Sequence, residues 1–127
     1  MFKAIAMMKK NPNVTHEEFK DYYEKRHAPM ATEAFSAYFS GYRRNFPLRQ
    51  FLTTEGAMRE IKSAQDPGAF PYDVIVEFWF RDKKAMDDVF EVFMARDQKT
   101  HIGDQQYLDL SSLRILIVDE TTTKLPG

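Results

Sequence analysis

Apolar and polar positions change period several times along the chain, and each change marks an element. Residues 2–8 are mostly apolar with imperfect alternation, and Lys9-Lys10-Asn11-Pro12-Asn13 follows as a cluster of turn formers, which predicts a strand and then a loop. Thr15 with Glu18 three residues on is a capping-box pattern, in which hydroxyl and carboxylate each satisfy the other's backbone N–H at a helix start. Phe19, Tyr22, Tyr23 and Arg26 or His27 then recur at spacings of three and four, so this helix is amphipathic. Pro29 disfavours helical geometry in the residue before it, yet suits the first turn of a new helix. The pattern therefore predicts a kinked or two-part helix with His27 beside the break. Its second part spans residues 31–39, carries Ala34, Phe35, Tyr38 and Phe39, and stops at Gly41.

Residues 42–52 read as a second strand, weakened by Pro47, which removes a ladder donor. Residues 53–71 contain Gly56, Pro67, Gly68 and Pro71 around an expected helical turn at 57–64, a long connection of the kind that serves as a lid or a dimer arm. The clearest strand is 72–81: Val74, Val76, Phe78 and Phe80 share one face, and Asp73, Ile75, Glu77 and Trp79 the other, so both faces are partly apolar. Asp82 caps a helix whose apolar stripe is Ala85, Met86, Val89, Phe90, Phe93 and Met94. A polar connection runs through Gly103, and residues 112–120 supply a last strand built on Leu113, Ile115, Ile117 and Val118.

The order β, α, β, β, α, β is the ferredoxin-like arrangement of the α+β class: an antiparallel sheet with two helices on one face. The other sheet face, with Ile75, Glu77 and Trp79, is too apolar for open solvent, so a second copy is expected to cover it as a homodimer. The length of 127 residues suits one domain, taken as residues 1–120 with a polar tail at 121–127.

Composition narrows the function classes. Lys, Arg, Asp and Glu interleave to a net charge of −1, which offers no extended field to a polyanion, so nucleic acid is not an expected partner. The absence of cysteine excludes disulfides, thiol nucleophiles and Cys-ligated zinc, and fits a reducing, cytoplasmic compartment. No apolar run reaches the length of a membrane span, so no membrane partner is expected. His16 and His101 lack a second ligand at a convincing spacing, and no glycine-rich loop joins a strand to a helix, so neither a metal nor a phosphate-bearing cofactor is expected.

Candidate chemistry gathers around His27. Tyr23 lies four residues before it on the same helix, and an imidazole that titrates near neutrality can move a proton without a metal. Both side chains are equally open, on spacing alone, to a plain packing role, with the imidazole bonded to a carbonyl freed near Pro29. Asp73 and Glu77 share a strand face with Trp79; one carboxylate could orient His27 or hold a substrate hydroxyl, or could pair with Arg43, Arg44 or Arg114 at an interface. Tyr42 and Asn45 lie on a strand that could border the same cavity, and Asp109 is a candidate for capping or pairing.

These residues together resemble the EthD-like branch of the dimeric α+β barrel superfamily. The resemblance rests on Lys9-Lys10 after the opening strand, Thr15-His16-Glu17-Glu18-Phe19, Tyr22-Tyr23 with His27-Ala28-Pro29, Tyr42-Arg43-Arg44-Asn45, and Asp73 leading into Glu77-Phe78-Trp79-Phe80. It implies a cofactor-free, metal-free homodimer with a pocket between sheet and helices in each subunit. It also implies lyase, cyclase or isomerase chemistry on small cyclic or aromatic molecules and favours a catalytic or substrate-binding His27; with the positions above, His27 and Tyr23 are the catalytic candidates and Tyr42, Asn45, Glu77 and Trp79 the substrate-binding ones. A non-catalytic protein that sequesters a hydrophobic intermediate is the competing reading. Haem degradation, known in other dimeric barrels, would need a haem-ligating histidine and a matching cavity.

Overall fold

The computed structural model describes residues 2–95 and 104–127. Strands β1 (Phe2–Lys10), β2 (Phe39–Asn45), β5 (Val74–Phe80) and β6 (Leu108–Asp119) form one antiparallel sheet in the order β2-β5-β1-β6. That order, with β1 and β5 at the centre, is the expected ferredoxin-like one. Ala4, Met8, Val74, Val76, Phe78 and Phe80 on one sheet face join Phe19, Tyr22, Tyr23, Ala85 and Val89 in the buried core, so both helical segments cover that face. Phe19, Phe80, Leu108, Val74 and Val89 are the largest of its fully buried side chains.

The first helix begins as its sequence dictates: Glu18 N donates to Thr15 Oγ1 and Thr15 N to Glu18 Oε1, both at 3.1 Å. Helix α1 (His16–Tyr22) then runs without a break through a π turn (Tyr23–His27) into α2 (Ala28–Phe35). In that turn Ala28 N donates to the carbonyl of Tyr23, five residues back. A proline in a regular helix would lack the donor and press its ring against the carbonyl four residues before; the wider turn ahead of Pro29 relieves that conflict. The two-part helix is therefore joined by a local widening that ends at His27.

Helix α2 stops earlier than its apolar spacing predicts. Phe39 opens β2, where its ring packs between Phe78 at 5.2 Å and Phe80 at 5.7 Å. Gly41 lies within the strand and makes room for the indole of Trp79: a Cβ there would fall 2.9 Å from Cε3. The expected strand at 42–52 is split, and the expected helical turn at 57–64 is replaced by a hairpin of β3 (Gln50–Thr54) and β4 (Ala57–Ile61). Glu55 and Gly56, with φ of 52° and 82°, make its two-residue left-handed turn, which matches the twist of the paired strands. Ile61 is buried, whereas Phe51 and Met58 are exposed on the hairpin's other face.

Asp82 caps α3 (Lys83–Ala95) as expected, its Oδ1 accepting from Ala85 N at 2.7 Å. The connection through Gly103, His101 included, falls outside the described residues. The last strand starts at Leu108, four residues before the expected start, because Leu108 pairs with Lys10. Its pairing with β1 slips between Met7 and Lys9, and Ser112 Oγ fills the slip by accepting from Lys9 N at 2.8 Å and donating to Asp109 O at 2.6 Å. Residues 121–127 form no regular element and are exposed.

Candidate functional site

Between the helices and the covered sheet face lies a cavity of about 190 Å³. Ala6 and Met8 of β1, Val74, Val76 and Phe78 of β5, and Leu113 and Ile115 of β6 line its sheet side. The slip in β6 brings Leu110 to the same face as Leu113, against strict alternation. Met30, Ala31, Ala34 and Phe35 of α2, with Phe93 of α3, line the helical side. Ala31 and Ala34 are one turn apart, and their small side chains leave the space that larger residues would fill.

Among the described residues, three polar side chains border this cavity: Tyr23, His27 and Tyr42. The π turn presents the first two on adjacent turns, their rings 4.5 Å apart and tilted by 38°. Tyr42 reaches them from β2, and its hydroxyl hydrogen-bonds that of Tyr23. Burial drives the Tyr23 phenol well above its ordinary pKa, and the neighbouring Tyr42 adds to the rise. Tyr42 is also raised by burial, but the guanidinium of Arg44 and the bond with Tyr23 pull the other way. Both phenols are therefore neutral donors at ordinary pH. Each hydroxyl can donate one hydrogen bond and accept others, so the pair can share one bond and still present a donor to the cavity.

Behind Tyr42 stands an ion pair. Arg44 Nε and Nη2 grip both carboxylate oxygens of Glu24 at 2.9 and 2.7 Å, and the guanidinium lies 4.9 Å from the Tyr42 ring centroid. The pair holds Glu24 below the ordinary carboxylate range and ties the π turn to β2.

The structure thus brings Tyr23, His27 and Tyr42 together and places Asn45, Glu77 and Trp79 on the opposite sheet face. Alternation along β5 decides this: the fully apolar set from Val74 to Phe80 meets the helices, so Glu77 and Trp79 point away. There Asn45 Nδ2 donates to Glu77 Oε2 at 3.1 Å, and Lys3 Nζ pairs with Glu77 at 2.7 Å and Glu120 at 2.6 Å. Trp79 Nε1 donates to Glu120 at 2.7 Å, with Lys3 and Arg43 against the indole. Asp73 pairs with none of the three arginines considered for it; it accepts from Lys10 N at 2.8 Å and lies 3.2 Å from His16 Nδ1. Asp109 pairs locally, accepting from Ser111 Oγ at 2.6 Å. Among the described residues no cluster of three His, Cys, Asp or Glu side chains could hold a metal.

Glu24 was not singled out by sequence reasoning, and Arg44 was considered only as an interface partner for a strand carboxylate. The available signals were that Arg44 shares a strand face with Tyr42 and that Glu24 adjoins Tyr23.

The strand order and the helix-covered cavity define a ferredoxin-like α+β domain. A family model for the EthD domain matches residues 11–105, and the chain belongs to that family. Two solved structures share the fold. The At3g17210 protein of Arabidopsis thaliana is 14% identical with a TM-score of 0.54, the match covering 98% of this chain and 100% of that one. An EthD-family protein of Bacillus halodurans is 17% identical with a TM-score of 0.53, covering 95% and 99%. No curated protein matches the chain.

Proposed function

We propose that this chain binds a small, largely apolar ring compound carrying oxygen and acts on it by a cofactor-independent, non-redox step, with His27 as general acid/base and Tyr23 and Tyr42 as hydrogen-bond donors. One observation carries the reading: an apolar cavity whose polar side chains, among the described residues, are an imidazole and two neutral phenols joined through Tyr23. Its volume of about 190 Å³ suits a single substituted ring, since a void of about 150 Å³ holds benzene. A proton moved by His27 to or from carbon or oxygen, while a phenol donates to the oxygen that gains charge, is sufficient for dehydration, decarboxylation, aldol-type cyclisation or isomerisation.

The same proposal includes a homodimer joined through the uncovered sheet face. Ile5, Met7, Ile75, Leu116 and Val118 lie on that face beside the Lys3 network, an apolar patch interrupted by satisfied charges. Sedimentation that yields a monomer at micromolar concentration would remove this part. Among the described residues no helix is long and apolar enough to cross a membrane.

The test is a panel of small phenols, cyclic ketones and lactones, followed for binding and for turnover. His27→Ala should abolish turnover while retaining most of the binding. Saturable binding with no conversion by the unaltered protein would favour the sequestering role, and failure of every ring to bind would remove the reading altogether.

A further inference from the structure

The polar end of the cavity is backed by a charge that its lining alone does not reveal. Arg44 does not border the cavity; it stands behind Tyr42, with its guanidinium 4.9 Å from the ring, and Glu24 fixes it by a two-point grip. A lysine would supply charge without that fixed fork. The carboxylate of Glu24 does not cancel the effect: at both phenols the influence of Arg44 exceeds that of Glu24. A neutral carbonyl gains from a phenol donor; an oxygen that carries full or developing negative charge gains from the donor and from the guanidinium behind it.

We propose that Arg44, clamped by Glu24, is a positioning residue that sets the Tyr23–Tyr42 pair to receive an anionic oxygen, so that the cavity selects a single ring bearing a phenolate or enolate oxygen over its neutral counterpart. This rests on the ring-binding reading above and names the substrate class within it. The role is indirect: Arg44 acts through Tyr42, and Glu24 acts through Arg44.

The experiment compares two probes of nearly the same shape, p-nitrophenol in mildly alkaline buffer, where it is the phenolate, and 4-nitrotoluene, which stays neutral. Dissociation constants are measured by calorimetry for the unaltered protein, Arg44→Gln and Glu24→Gln. The unaltered protein should prefer the phenolate. Arg44→Gln should reduce that preference by about tenfold, the factor that corresponds to one pKa unit, and leave the nitrotoluene affinity unchanged. Glu24→Gln keeps one acceptor oxygen to hold the guanidinium while removing the opposing charge, and should raise the preference. Opposite signs separate this role from structural damage, which would weaken both probes in both variants; if Arg44→Gln does not fold, the rise in Glu24→Gln still decides. Tight binding of both probes with an unaltered ratio in the variants overturns the role of Arg44 and leaves the ring pocket standing. Binding of neither probe to the unaltered protein overturns both.

Discussion

Ala31→Leu should make the protein more stable and less able to bind a ring. Ala31 lines the cavity from α2, and Leu adds three carbons directed into apolar space. Burying them at about 0.8 kcal/mol per methylene gives about 2.4 kcal/mol. Fixing the leucine rotamer offsets roughly 0.5–1 kcal/mol of that, leaving about 1.5 kcal/mol of net stabilisation. For a domain of this size such a gain raises the melting temperature by roughly 5 °C. The same atoms occupy the volume a ring would need, and overpacking of about 2 kcal/mol corresponds to roughly 30-fold weaker binding. Calorimetric melting and titration with p-nitrophenol read the two effects separately. A lower melting temperature would show that no space lies beneath Ala31. A raised one with unchanged ring affinity would put the ligand elsewhere, and either result refutes the reasoning.

Three further outcomes follow from contacts already described. Tyr42→Phe leaves the Tyr23 hydroxyl, on a buried side chain, without its partner and should destabilise by about 1–3 kcal/mol in urea unfolding; Tyr23→Phe should cost less, because half-buried Tyr42 can turn to water, and the reverse order would contradict burial as the deciding difference. Gly41→Ala puts a methyl against the Trp79 indole and should cost about 1–3 kcal/mol with a shift in the emission of the chain's single tryptophan; unchanged stability and emission would deny the close approach. Lys3 holds Glu77 and Glu120 below their ordinary value of 4.5, so its contribution is present above that pH and is lost as pH falls through the depressed folded values. The stability gap between Lys3→Met and the unaltered protein should accordingly be widest near neutrality and shrink in acid, and a gap of constant size from pH 7 to pH 3 would rule the network out as its cause.

Much of the scaffold was legible because single residues impose it. Thr15 with Glu18 and Asp82 mark helix starts by hydrogen bonds that few other local structures use, and the alternation from Val74 to Phe80 admits only a strand. The hairpin was not legible, since its turn is Glu55-Gly56 in place of the usual Asn-Gly or Asp-Gly, and its exposed face carries no strong period. Phe39 and Gly41 misled for a tertiary reason: the rings of Phe78 and Phe80 and the indole of Trp79 decide their conformation, and all three lie far along the chain. Within the site, Tyr23 and His27 were legible from helical spacing. Glu77 and Trp79 were associated with them because both faces of β5 carry apolar residues; the wholly apolar face, which must meet the helices, was the sign that separated the two.

The π turn has a consequence for the phase of the helix that follows it. Each residue advances an α-helix by about 100°, so one residue more or less between Tyr22 and Ala28 would rotate α2 by that angle about its axis. Met30, Ala31, Ala34 and Phe35 would swing off the cavity together, and longer or charged neighbours would take their place against the sheet. The turn that holds the imidazole is thus also the turn that times which stripe of α2 becomes the roof, and single-residue insertions or deletions there would change ligand shape and proton transfer in one event.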